Sequence, residues 1–103
     1  MKLLTKTLEQ KLVAAHKAKA ESATVLAKFF TPDAQCSWFV TEYDPQTRLF
    51  FGFCNLGDDN MAELGYVGRD ELERVTGLFG LHVERDMYWR PVELAEVTSF
   101  EVR

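Results

Sequence analysis

The sequence predicts an α+β fold: a small, mainly antiparallel sheet packed by an N-terminal helix, with short helices at 70–77 and 92–97. Three observations predict it. An apolar stripe of helical period opens the chain, two aromatic runs flank a short turn in its middle, and short strand-like segments separated by turn residues follow.

Residues 5–20 read as the first helix. Leu4, Leu8, Leu12 and Ala15 recur at helical spacing, and Thr5 is placed to cap the start. The stripe is expected to lie on the sheet. Residues 21–24 break the helix, and residues 25–30 form a first strand ended by Pro32. The centre of the chain is CSWFVTEYDPQTRLFFGFCN, residues 36–55. Asp44 and Pro45 start a turn, and the β-branched and aromatic residues on either side make a hairpin. With Tyr43 opposite Arg48, Trp38, Val40, Phe51 and Phe53 share a core face. Phe39, Tyr43 and Phe50 fall on the other, partly covered face. Trp38→Ala is then expected to cost more than a change at Phe39. A one-residue slip would exchange the faces.

Residues 57–60 form a polar, acidic loop without the spacing of a calcium loop. Residues 62–67 make a strand in which Gly65 suggests a bulge or a close backbone approach. Asp70, with Glu73 three residues on, reads as a capped helix start, and Gly77 as its end. Residues 83–89 alternate as an edge strand, with His82, Glu84, Asp86 and Tyr88 on a charged face. Pro91 opens the last short helix, and the tail after Thr98 is expected to fray.

The 103 residues fit one domain, 1–103, with the helix at about 5–20 and the sheet domain at about 25–98. Two cysteines are too few for a disulfide framework. Placed on opposite faces, Cys36 and Cys54 read as free thiols in a cytoplasmic protein. No apolar run approaches the ~20 residues of a membrane span. The net charge of −4 hides an asymmetry. All six lysines (2, 6, 11, 17, 19 and 28) lie in the first 28 residues against two acids, leaving +4 there and −8 in the rest.

No phosphate loop, CxxC pair, HExxH or GxSxG is present. The one constellation for chemistry is His82-x-Glu84-x-Asp86. Alternate strand residues share a face, and Glu42 or Glu63 would have to complete a metal site. A solvated edge strand is the simpler reading, so neither a metal nor a cofactor is expected. Acids with no structural task, and the tyrosine near them, are the candidates for contact: Glu42, Asp44, Glu63, Tyr66, Glu84 and Asp86. Arg85 points away from Glu84 and Asp86 by alternation and is expected to serve the fold through a carboxylate.

The segments VLAKFFTP (25–32), Trp38 with TEYDP (41–45), FGFCNLG (51–57), ELGYV (63–67), Glu71-Leu72 and VERD (83–86) carry a resemblance. Together they resemble a family of short bacterial proteins of unknown function, typical of plasmids, integrative elements and phage-like DNA. The resemblance implies a mobile-element context and no established activity, and it supplies no catalytic residue. The expected function is therefore a non-catalytic protein-binding module with an acidic surface, such as an inhibitor of a host defence protein. The alternatives are a nucleic-acid binder using the lysine-rich helix, or a small enzyme or metal-binding protein. A protein partner is expected. Bare nucleic acid and membrane are not, and the oligomeric state is left open.

Overall fold

The computed structural model describes residues 3–18, 24–57 and 61–101. Its framework is a five-stranded antiparallel sheet in the order β5-β4-β3-β2-β6. The strands are β2 (Ala27–Phe30), β3 (Ser37–Asp44), β4 (Leu49–Asn55), β5 (Glu63–Gly68) and β6 (Glu84–Arg85). A separate ribbon pairs β1 (Thr24–Val25) with β7 (Val92–Glu93). The helices are α1 (Lys6–Ala18), α2 (Arg69–Arg74) and α3 (Leu94–Glu101). The α+β architecture is the one expected, with an N-terminal helix on a mainly antiparallel sheet.

Helix α1 forms where the apolar stripe and the cap place it. The Leu8 amide donates to Thr5 Oγ1 at 3.1 Å, satisfying one of the open donors of the first turn. Leu4 and Leu12 are buried, and Leu8 packs beside them. They meet Ala27, Phe29, Trp38, Val40, Tyr43, Phe50 and Leu72 in the first of two core clusters. The sequence assigned residues 19 and 20 to this helix and 21–24 to the break; residues 19–23 lie outside the described residues, and Thr24 is strand, paired with Glu93.

The second cluster lies on the other side of the sheet, where Val25, Phe39, Phe53 and Val97 are buried with Trp89, Val92 and Leu94 against them. The sheet is thus covered on both faces at this end, by α1 on one and by α3 with the β1–β7 ribbon on the other. Helix α3 thus lies over a face of the sheet.

The hairpin exists, but its register differs from the one the turn suggested. Asp44 pairs with Leu49 and Tyr43 with Phe50, leaving Pro45, Gln46, Thr47 and Arg48 as the loop. Arg48 closes the loop at φ 58°, in the left-handed region. Between Val40 and Glu42 the register shifts once more, at a bulge centred on Thr41. The two shifts re-sort the side chains. Tyr43 and Phe50 stand with Trp38 and Val40 toward α1, while Phe53 stands with Phe39 toward α3.

Cys36 and Cys54, expected on opposite faces, both pack against the first cluster, and both are free thiols. Gly65 sits in a regular pair with Gly52 and has no bulge. The close approach falls at Gly52, where a Cβ would meet the Phe39 carbonyl oxygen at 2.0 Å.

The remaining corrections are local. The first strand breaks at Leu26, which separates β1 from β2. The N-cap of helix α2 is Gly68, which has no side chain to cap with; Asp70, expected as the cap, is the second residue of the helix and is held by Arg48, and the helix ends at Arg74, before Gly77. The strand expected over 83–89 keeps only Glu84–Arg85, because the Asp86 carboxylate accepts the Tyr88 amide and turns the chain. Val92–Glu93 is strand where a helix was expected, and α3 runs on to Glu101 where the tail was expected to fray. The loop read at 57–60 lies outside the described residues from 58 on.

Candidate functional site

The cover that α3 provides stops short. On the second face, Phe39 and Phe53 are buried, but the next row along the strands, Glu42–Phe51–Tyr66, lies outside the buried cluster. Tyr66 is 69% exposed and Leu64 49%. Tyr66 is nevertheless not loose: its ring stands edge-on to Phe51, with centroids 4.9 Å apart. Such pairs add about 0.5–1.5 kcal/mol beyond area burial. The result is a large aromatic fixed in place on an open sheet face, with Glu42 two strands away in the same row.

The hairpin end carries two acids, Glu42 and Asp44, within reach of the end of α1. Asp44 Oδ1 accepts the Gln46 amide at 2.9 Å. That hydrogen bond, helped by Thr47 and by His16, holds the Asp44 pKa below its ordinary value. His16, near the end of α1, reaches two carboxylates: Nδ1 lies 3.5 Å from Glu42 Oε1, and Nε2 lies 3.7 Å from Asp44 Oδ2. The loop is tied down from its other side as well. Arg48 donates in fork fashion to Asp70, with Nε 3.1 Å from Oδ2 and Nη2 2.8 Å from Oδ1. These hydrogen bonds lower the Asp70 pKa. Below the loop, Arg69 lies over the Tyr43 ring and donates to Glu9 at 2.6 Å and to Glu73 at 3.2 Å. Burial pulls the Arg69 pKa down, but Tyr43, Glu9 and Glu73 outweigh it, and the net shift is upward. The two arginines therefore hold α1, α2 and the hairpin together and are committed to acids other than Glu42 and Asp44.

The six residues singled out in the sequence fall into three places. Glu42 and Tyr66 share one row across Phe51, with Asp44 beside them. Glu63 starts β5 on the other face, opposite Cys54. Burial and the Glu63 charge push the Cys54 thiol up. Glu84 and Asp86 lie at the far edge, on and just after β6. The two edges are four strand spacings apart, roughly 19 Å at about 4.8 Å each. Arg85, expected to serve the fold, directs Nη1 to the Leu3 carbonyl at 2.7 Å.

The alternation that would have lined up His82, Glu84 and Asp86 does not run, since β6 is two residues long. His82 instead forms an isolated bridge with Thr76. Among the described residues, no three His, Cys, Asp or Glu side chains are gathered to hold a metal ion. Among the described residues, no helix is long and apolar enough to cross a membrane.

Two features escaped the sequence reading. Phe51 links Glu42 to Tyr66, and no local signal marks it as different from its neighbours Phe50 and Phe53. The second is the turn over 77–81, which displays Leu78 and Phe79 almost fully to solvent. Asp33 Oδ2 braces it by accepting the amides of Phe79 at 2.6 Å and Leu81 at 3.4 Å. Glycines at 77 and 80 around an apolar pair were the available signal.

No curated protein matches the chain, and no solved structure matches it. A family model does match, over residues 3–99, and it is described as a protein of unknown function, DUF2958. With nearly the whole length covered, including every strand of the sheet and the open face itself, the chain belongs to the DUF2958 family.

Proposed function

We propose that the chain is a non-catalytic protein-binding module whose contact surface is the open part of the second sheet face. Tyr66 is its anchor, and Glu42 and Asp44 are its charged side. The observation that carries this reading is a Tyr side chain 69% exposed and yet fixed edge-on against Phe51. A rigid aromatic loses little entropy on binding and is the kind of residue in which binding energy concentrates. The two carboxylates suit a basic segment of a partner protein, with association that is fast and salt-sensitive. The resemblance to proteins of mobile DNA supports a partner in the host, and inhibition of a host defence protein is the sharpest form of this reading.

The test compares wild type with a Tyr66→Ala, Glu42→Gln double variant. Folding is followed by circular dichroism and partner capture by titration of the captured protein. Loss of a central Tyr contact is expected to weaken binding roughly thirtyfold, corresponding to about 2 kcal/mol. A folded variant that captures the same protein with unchanged affinity at physiological salt removes this face from consideration.

Nucleic-acid binding draws on Lys6, Lys11 and Lys17, which are all exposed on α1. Glu9 on the same helix is already bound to Arg69, and the body of the chain is acidic. Binding to bare DNA is expected to be weak, because so few phosphates are neutralised, and to weaken further as salt rises from about 50 to 200 mM. A gel-shift titration checks it. Tight binding at physiological salt, abolished by Lys11→Glu with Lys17→Glu, would replace the protein-binding reading.

A further inference from the structure

The two edges of the sheet are treated differently. At one edge, β6 is two residues long, consists of Glu84 and Arg85, and turns away at Asp86. Shortness and charge are the usual means of keeping an edge from pairing with another chain. At the other edge, β5 is not short, and its one charge is Glu63 at its start. It is six residues long and reads ELGYVG, with no proline, lysine or bulge, and β4 is its only neighbour among the described residues. Leu64 and Tyr66 stand exposed on one side of it. On the other side, the space around Gly65 is empty within 4 Å of where a Cβ would be.

We propose that β5 pairs antiparallel with β5 of a second copy of this chain, about a two-fold axis through Gly65. The argument for a second copy is the self-complementary pattern of the strand about that residue. Antiparallel pairing centred on Gly65 sets Leu64 of each copy opposite Tyr66 of the other, so two exposed apolar side chains per copy gain a cross-strand partner. Glu63 falls opposite Val67, so no carboxylate meets its own image. Gly65 meets Gly65, and the strands close without steric conflict. The two sheets become one of ten strands with both open faces on the same side. The proposal goes beyond the binding face described above and does not rest on it.

The test uses the full chain in sedimentation-velocity runs over a dilution series. Wild type is expected to show a reversible dimer of twice the 11.8 kDa monomer mass. Gly65→Lys and Gly65→Glu each place like charges directly opposite across the axis, and the open space at Gly65 lets either side chain be accommodated in the monomer. Each variant alone is expected to be monomeric, with a melting temperature close to that of the wild-type monomer. An equal mixture of the two is expected to recover the dimer, because Lys then faces Glu. A wild type that stays monomeric at its highest soluble concentration overturns the proposal, including the case in which β5 amides become protected from hydrogen exchange only on adding a foreign protein. Dimers of either variant alone, or no recovery in the mixture, overturn the axis at Gly65.

Discussion

Trp38→Ala and Phe39→Ala are each expected to destabilise the protein by about 3–5 kcal/mol, the range for truncating a buried large aromatic. The residues are neighbours in β3 and point to opposite faces, yet they are 5% and 3% exposed. Trp38 stands in the α1-side cluster with Phe29, Val40 and Leu12. Phe39 contacts the rings of Phe53 and Trp89, at centroid distances of 6.4 and 5.7 Å, and Lys28 lies over its ring. A single-faced sheet would have made Phe39 the lesser loss. The α3 cover removes that difference. Urea melts of both variants check it, and a Phe39→Ala cost below about 1 kcal/mol, typical of a surface change, would show that α3 does not seal its face. For a domain of this size, the expected loss is a large part of a total stability of about 5–15 kcal/mol.

Gly52→Ala is expected to be strongly damaging, although it adds only one methyl group. The new Cβ would lie 2.0 Å from the Phe39 carbonyl oxygen and 2.9 Å from Val40 Cα. Both are backbone atoms of the central strand. A flexible side chain could swing aside; a strand paired on both sides cannot. Overpacking in a core typically costs about 1–3 kcal/mol and occasionally more, and a clash with backbone belongs at the upper end. The expected result is a fall of roughly 10–20 °C in melting temperature at about 4–8 °C per kcal/mol. Gly65→Ala, one strand further out in the same row, serves as the control: open space surrounds its Cβ, and little change is expected. Equal melting temperatures for the two variants would show that the close approach at Gly52 is not real.

What was legible in the sequence is what is decided locally. The Thr5 cap, the stripe of α1 and the turn at Asp44-Pro45 each depend on residues within a few positions, and each is found. What was misread is decided by distant partners. Asp70 has the sequence of a helix cap, but Arg48, 22 residues away, claims its carboxylate. Val92–Glu93 follows a proline as a helix start would, but pairs with Thr24–Val25. The hairpin register failed for a third reason. An Arg in the left-handed region at 48 and an extra residue at Thr41 break no sequence rule that could be seen in advance. The candidate site inherited that error. Tyr66 and Glu42 stood out individually, but the row that unites them through Phe51 exists only in the true register. The acids 63, 84 and 86 share a charge with them and not a place.

The β1–β7 ribbon also bears on how the protein is made. Residues 24–25 close against 92–93, Trp89 Nε1 donates to the Val25 carbonyl at 3.0 Å, and Arg85 reaches back to Leu3. The second core cluster needs Val97. During synthesis, the hairpin and α1 emerge early, but they leave the ribosome with the Phe39–Phe53 side uncovered. Closure waits for the last segment of the domain, and it does so through contacts of high sequence separation, which form slowly. Until then, the nascent chain presents an aromatic surface to the cell, the kind of exposure that engages chaperones. The step that completes the fold therefore waits until α3 has left the ribosome.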